Sequence, residues 1–107
     1  MENQHRRING YRELTQAEID LMNEVKALGP QIEAVLLKVQ DHILKQELAA
    51  YNMVDASYKT EEAAAAGKEE LKRLQDATPA RFLSLAKTEL QTGLMYMTRA
   101  VAQPTFF

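Results

Sequence analysis

The amino-acid sequence predicts an all-α protein, and three observations support this prediction. Apolar residues recur at helical spacing through most of the 107 residues. Capping signals precede the predicted helices, and no stretch has the alternating or β-branched pattern that is typical of strands. We therefore expect one helical domain over residues 1–107, in which a short N-terminal helix is followed by a long antiparallel helical hairpin.

The predicted N-terminal arm covers residues 1–14, and the first helix covers residues 15–29. Thr15 and Glu18 form a capping box, in which each side chain accepts a hydrogen bond from the backbone N–H of the other residue. One apolar stripe follows at helical spacing: Ile19, Met22, Val25 and Leu28. Because Gly29-Pro30 combines two helix-ending signals, we expect the helix to stop there.

The second helix is predicted over residues 30–56. Its apolar stripe consists of Ile32, Leu36, Val39 and Ile43. Residues 57–77 are predicted to be a helical extension or a bend, and they contain the segment EEAAAAGKEELKRLQDA. Since this segment is rich in helix formers and poor in large apolar side chains, we expect an exposed helix.

The last helix is predicted over residues 78–103, with Thr78 as its N-cap and Pro79 at its first position. Its apolar stripe consists of Leu83, Ala86, Leu90, Leu94, Met97 and Val101. Gln103-Pro104 is expected to end it. Two amphipathic helices cannot fully cover each other's apolar stripes, so we expect the protein to self-associate.

Composition narrows the class of protein. The net charge is −2 and there is no Cys, which argues against a DNA or RNA partner and excludes disulfides and Cys-ligated metals. The apolar runs are far shorter than the ~20 residues that span a bilayer, and the N-terminus lacks the apolar core of a signal peptide. We expect a cytoplasmic protein without a membrane partner.

No catalytic or metal-binding constellation is visible, so we expect a protein that is not an enzyme and takes no cofactor or metal. His5 and His42 are the two histidines, and neither has a ligand-type partner at i+4 on a helix. Ser57 and Ser84 lack the glycines of a nucleophile elbow. The sequence also lacks a Walker A loop and a GxGxxG motif.

A first set of binding-type residues lies near the N-terminus. Tyr11 offers an aromatic face on which a nucleobase can stack, and Lys26 offers an ammonium for a phosphate. Arg6, Arg7 and Arg12 supply fork-shaped donors that suit phosphate oxygens. The same pattern also fits an ordinary structural role, with Tyr11 as a packing anchor and Lys26 as a solvated charge.

A second set lies on the last predicted helix. Arg81, Ser84 and Thr88 fall at i, i+3 and i+7, on one helical face, and Lys87 lies beside them. The N-terminal end of a helix favours anions, and these cations would strengthen that preference. In the alternative interpretation, Thr88 bonds its own backbone and Arg81 is simply exposed.

Three sequence segments resemble those of a known family. HRRINGYRELT followed by LMNEVKALG, and LAKTELQTGLMYMTRAVAQPTFF near the end, are similar to the phage anti-CBASS cyclic-oligonucleotide sponges, the second anti-CBASS family. The order and the terminal placement of these segments also match. The resemblance implies a small helical protein that assembles into a homo-hexamer, built as a trimer of dimers.

The resemblance also implies a function. Members sequester cyclic dinucleotide and cyclic trinucleotide second messengers (CBASS signals) without cleaving them, in the cytoplasm of the infected bacterial host. Tyr11 and Lys26 match the dinucleotide pocket of the family, with Arg7 and Arg12 as neighbouring cations. For the trinucleotide pocket, the match falls on the start of the last helix, at Arg81, Ser84, Lys87 and Thr88.

An alternative function is that of a small helical oligomeric adaptor that binds a partner protein helix in a groove. Methionines support this alternative because Met-rich surfaces repack around partners: Met22, Met53, Met95 and Met97. The more common role of such methionines is to fill gaps in a core.

Overall fold

The computed structural model describes residues 12–55 and 60–106, and these residues form three helices. Helix α1 spans Gln16–Asp55, α2 spans Glu61–Ala77 and α3 spans Pro79–Ala102. No strand occurs among the residues described. The all-α prediction is confirmed.

Contacts along the chain divide these residues into two compact units. The first unit comprises residues 12–33 and 88–106, and the second comprises residues 34–55 and 60–87. Helices α1 and α3 each contribute to both units, whereas α2 lies entirely within the second.

The predicted stop at Gly29-Pro30 is wrong, because α1 continues through Pro30 to Asp55. There is therefore no separate short first helix. Pro30 lacks an N–H, so the carbonyl of Lys26 loses its intrahelical partner, and a proline inside a helix costs about 3 kcal/mol. The apolar stripe resumes beyond the proline with the half-buried Ile32 and Leu36. Packing of such a stripe stabilises a helix more than local propensity does, which explains why the helix persists.

In the first unit, the start of α1 lies beside the end of α3, so the two helices run antiparallel there. The capping box is confirmed: the Thr15 N–H donates to Glu18 Oε1 at 2.8 Å, and the Glu18 N–H donates to Thr15 Oγ1 at 3.2 Å. At the other end, Ala102 closes α3, and the Gln103 N–H donates to the Arg99 carbonyl at 2.8 Å. The predicted end at Gln103-Pro104 is therefore confirmed.

In the second unit, α2 packs against α1. The segment is helical, as predicted, and most of its residues are exposed, but two of them are buried against expectation. Gly67 and Leu74 of α2 are buried, as are Ile43 and Ala50 of α1. The helix begins at the N-cap Thr60, whose Oγ1 accepts a hydrogen bond from the Ala63 N–H at 3.2 Å. Glycine and alanine supply little apolar area, but they let two helices approach closely.

Thr78 is the single residue between α2 and α3, and its backbone groups form hydrogen bonds with both helices. Thr78 directly precedes α3, at the predicted N-cap position, and its carbonyl accepts from the Phe82 N–H at 3.3 Å. The same residue has the left-handed conformation (φ 45°, ψ 55°) and is also the C-cap of α2. Its N–H donates to the Leu74 carbonyl at 3.0 Å, and its carbonyl accepts from the Arg81 N–H at 3.1 Å. Pro79 occupies the first position of α3, as predicted.

The apolar core of the described residues is thin. The buried hydrophobic side chains are Val25, Ile43, Ala50 and Leu74. Many larger apolar side chains are exposed, including Leu48 at 61% and Met95 at 70%. None of the helices in residues 12–55 and 60–106 combines the length and the apolar character needed to cross a membrane.

Candidate functional site

A cavity of about 390 Å³ lies in the first unit between α1 and α3. This volume falls within the range of roughly 300–1,000 Å³ that is usual for small-molecule sites. Its lining side chains come from Leu14 just before α1, from the beginning of α1 and from the later part of α3: Leu14, Ile19, Met22, Asn23, Val25, Lys26, Leu94, Met95 and Thr98. The walls are therefore mainly apolar, with few polar groups.

Helical spacing explains why these residues meet. Ile19, Met22 and Lys26 recur at i, i+3 and i+7 and so share one face of α1. Lys26 follows the buried Val25, and its own side chain is exposed. A lysine in this position lays its methylene stem along an apolar wall and keeps the ammonium in water. No carboxylate in the described part of the chain pairs with this ammonium.

Two other polar side chains line the cavity, and the sequence did not single them out. Asn23 lies one turn before Lys26 and has no hydrogen-bond partner among the described residues. The Thr98 hydroxyl donates to the Leu94 carbonyl at 3.0 Å, which leaves its oxygen lone pairs as acceptors. The sequence shows that Asn23 and Lys26 share a face of α1, because they are three residues apart. Only the fold shows that Thr98 of α3 lines the same cavity as these two residues.

Arg12, which we predicted to contact a phosphate, contacts other groups of the protein in the structure. It forms an ion pair with Glu18, and its guanidinium also donates to the carbonyls of Val101 and Ala102. The hydrogen bond from Arg12, followed by that from the Thr15 backbone, lowers the pKa of Glu18 to about 2. The same hydrogen bond raises the pKa of Arg12. Arg12 is thus engaged by the protein itself.

The remaining members of the first set, Tyr11 and Arg7, lie outside the described residues, as do His5, Arg6 and Ser57. Of the first set, the structure therefore describes Lys26, which lines the cavity, and Arg12, which contacts Glu18 of α1 and the last two carbonyls of α3.

The second set lies on α3 and is exposed to solvent. In the second unit, Arg81, Ser84 and Lys87 are all exposed, and the Arg81 guanidinium carbon lies 5.4 Å from the centroid of the Phe82 ring. Thr88, also exposed, is the first α3 residue of the other unit. The cations of this set are accessible to an anion, and Arg81 has its aromatic neighbour exposed beside it.

The residues that the structure describes, 12–55 and 60–106, contain no candidate metal site. No three His, Cys, Asp or Glu side chains in this part of the chain are grouped so that they could hold a metal ion. His42 is exposed on α1.

Known proteins are similar to almost the entire chain. The profile of the family described as "Acb2/Tad1, hairpin domain" matches residues 3–102. Anti-CBASS protein 2 of Pseudomonas phage JBD67 is 40% identical over 109 residues, which cover 97% of this chain and 97% of that relative. The similarity therefore includes the middle of the chain as well as the terminal segments that first suggested it. This chain belongs to the anti-CBASS family defined by the Acb2/Tad1 hairpin domain.

Proposed function

We propose that this chain is a phage immune-evasion protein that sequesters cyclic dinucleotide and cyclic trinucleotide second messengers (CBASS signals) without cleaving them. The observation that supports this most directly is the apolar cavity of about 390 Å³ lined by Lys26, whose ammonium forms no ion pair with the residues that the structure describes. The 40% identity to a phage protein named for anti-CBASS activity supports the biological setting, the cytoplasm of an infected bacterium.

Cyclic dinucleotides match the chemistry of this cavity. They present flat bases, which favour apolar walls such as Met22 and Leu94, and two phosphates, which favour an unpaired ammonium. Tyr11, fifteen residues before Lys26, would stack on a base, and Arg7 would add a further cation. Sequestration needs only tight binding in stoichiometric amounts, so no general base, nucleophile or metal enters the proposal.

For cyclic trinucleotides, we place the binding residues on α3. Arg81 and Lys87 would pair with phosphates, while the hydroxyls of Ser84 and Thr88 would donate to phosphate or sugar oxygens. The exposure of these four side chains supports this role. We choose this stretch among the cationic stretches of the chain because of the family resemblance.

The proposal includes assembly into a homo-hexamer, a trimer of dimers. Exposed apolar side chains support association, because a monomer with so few buried side chains would leave a large apolar area in water. A two-fold axis would present the same residues twice to the two halves of a cyclic dinucleotide, and a three-fold axis would suit a cyclic trinucleotide.

One observation favours the alternative of a helical adaptor. Met95 and Tyr96 are 70% and 68% exposed, and such side chains are common where a partner helix binds. The two functions differ in their ligands: an adaptor would retain a protein and no cyclic nucleotide.

Native mass spectrometry with a panel of cyclic di- and trinucleotides tests the proposal. We expect a hexamer that retains members of both ligand classes and releases them intact on heating. Tyr11→Ala should lose stacking of about 1–3 kcal/mol per base, and Lys26→Ala about 1.5–3 kcal/mol for each charge-assisted contact. Lys38→Ala, which alters another exposed lysine of α1, should bind as the wild type does. Retention of no cyclic nucleotide, or release of linearised ligand, would refute the proposal.

A further inference from the structure

The polar side chains that line the cavity of the first unit differ in what they offer a ligand. Lys26 offers N–H donors and a positive charge, Asn23 offers a carbonyl acceptor and an amide donor, and Thr98 offers a hydroxyl. The other lining side chains are apolar. The function proposed above uses Lys26 for a phosphate, and it leaves Asn23 and Thr98 without a role.

The Thr98 hydroxyl is an acceptor for a ligand, because its proton is already committed. Its Oγ1 donates to the Leu94 carbonyl at 3.0 Å. Leu94 lines the same cavity one turn earlier on α3, and the Thr98 side chain is half-buried. A polar atom that loses water without gaining a partner weakens a complex. A ligand that fits against Thr98 therefore brings a hydrogen-bond donor to it.

Asn23 can donate and accept at the same time. Its amide has no hydrogen-bond partner among the described residues, and it lies three residues before Lys26 on the cavity face of α1. Side chains at this spacing are neighbours on a helix surface. The asparagine side chain is short, so its amide stays near the helix, whereas the lysine stem carries the ammonium farther out. Asn23 and Lys26 can thus hold different parts of one ligand.

Together, Asn23 and Thr98 present two acceptors and one amide donor. The complementary edge of a ligand has two N–H donors beside one acceptor. Adenine has such an edge, because both N–H groups of its amino group lie beside a ring nitrogen, and guanine and cytosine have equivalent edges. Uracil and hypoxanthine have no amino group, and each offers a single N–H. These two side chains therefore match a base with an exocyclic amino group.

Resting on the function proposed above, we infer that Asn23 and Thr98 are specificity-determining residues, which contact the edge of a base and favour cyclic dinucleotides whose bases carry an amino group. Lys26 pairs with a phosphate of the same ligand, and the apolar walls lie along the base. A base without the amino group leaves one of the two acceptors unsatisfied. Since this costs about one hydrogen bond, such a ligand should bind about tenfold more weakly.

Cyclic di-AMP and cyclic di-IMP test this inference, because they differ only at the base edge, where an oxygen replaces the amino group. Calorimetry on the wild type should show about tenfold higher affinity for cyclic di-AMP. Thr98→Val and Asn23→Leu should bring the two affinities within about twofold of each other, because each removes one acceptor. Thr98→Ser keeps the hydroxyl and should retain the preference. A purely structural role would lower both affinities together and leave their ratio unchanged.

Matched controls come from Asn52 and Thr92, which do not line the cavity. Asn52→Leu and Thr92→Val make the same chemical changes on α1 and α3, and we expect both variants to keep the wild-type preference.

The ratio of the two affinities also separates this inference from the function on which it rests. Equal affinity of the wild type for both ligands would overturn the inference and leave sequestration in place. A preference that persists in both Asn23→Leu and Thr98→Val would overturn it as well. If the wild type binds neither ligand, the proposed function fails and the inference fails with it.

Discussion

Gly67 of α2 lies so close to Met53 of α1 that a Cβ at position 67 would be only 2.8 Å from Met53 Cβ. The same added atom would lie 2.9 Å from Val54 Cγ2 and 3.0 Å from the Ala50 carbonyl oxygen. One of these neighbours is backbone and another is a Cβ, so neither can move without moving α1. The absence of a side chain at Gly67 is therefore what permits α2 to pack where it does.

The first prediction follows from this contact. Gly67→Ala should destabilise the protein by about 1–3 kcal/mol, because overpacking outweighs the gain of up to about 1 kcal/mol in helix propensity. Gly93→Ala is the matched control, since a Cβ there meets nothing within 4 Å and should stabilise α3 by up to about 1 kcal/mol. Urea denaturation measures both. A Gly67→Ala protein as stable as Gly93→Ala would contradict the packing of α2.

The second prediction concerns the pH dependence of Glu18, whose pKa the Arg12 hydrogen bond lowers to about 2 from an ordinary value of 4.5. A carboxylate with a lowered pKa stabilises the folded state above its ordinary pKa and loses that effect as the pH falls toward 2. The stability difference between wild type and Glu18→Gln should therefore shrink below pH 4.5. An NMR titration should place the Glu18 midpoint near 2, and Arg12→Gln should raise it. An equal midpoint in both proteins would exclude the ion pair.

The third prediction concerns Pro30 inside α1. Pro30→Ala restores an N–H that can donate to the Lys26 carbonyl and removes a clash worth about 3 kcal/mol. Part of this gain is offset because alanine gives the unfolded chain about 0.4–1 kcal/mol more conformational freedom. We expect a net gain of about 2 kcal/mol in the free energy of unfolding. A loss of stability would mean that packing around α1 depends on the proline.

The fourth prediction concerns the beginning of α2. Thr60→Ala removes the hydroxyl that accepts the Ala63 N–H and should cost about 0.5–2 kcal/mol. Thr60→Ser keeps the hydroxyl and should remain near the wild type. Thermal unfolding of the three proteins checks this, and equal stability of the alanine and serine variants would refute the cap.

The fifth prediction is that the two proposed ligand classes bind independently. Lys26 and Arg81 are 55 residues apart in the chain, on different helices. Saturation with a cyclic dinucleotide should change trinucleotide affinity by no more than a few tenths of a kcal/mol, as for uncoupled sites. Arg81→Ala should weaken trinucleotide binding and spare dinucleotide binding. Competition between the two ligands in calorimetry would indicate a shared site.

The sequence by itself determined the features that depend on neighbours in the chain. Helical periodicity predicted the all-α class, and the capping box of Thr15 and Glu18 was readable because its partners are three residues apart. The end of α3 before Gln103-Pro104 was also readable, because a proline is a local signal that a helix stops. Lys26 stays a predicted binding residue, and the structure adds that it lines a cavity.

Only the tertiary structure decided the features that depend on residues far apart in the chain. Pro30 carries a strong local stop signal, yet α1 continues because stripes on both sides of it are packed. Gly67 and Leu74 belong to a segment that is polar on average, and their burial follows from the approach of α1. Arg12 has the pattern of a phosphate ligand, but the carbonyls of Val101 and Ala102, about ninety residues later, occupy its donors. Local propensity is a short-range energy, whereas these contacts arise only when the helices pack.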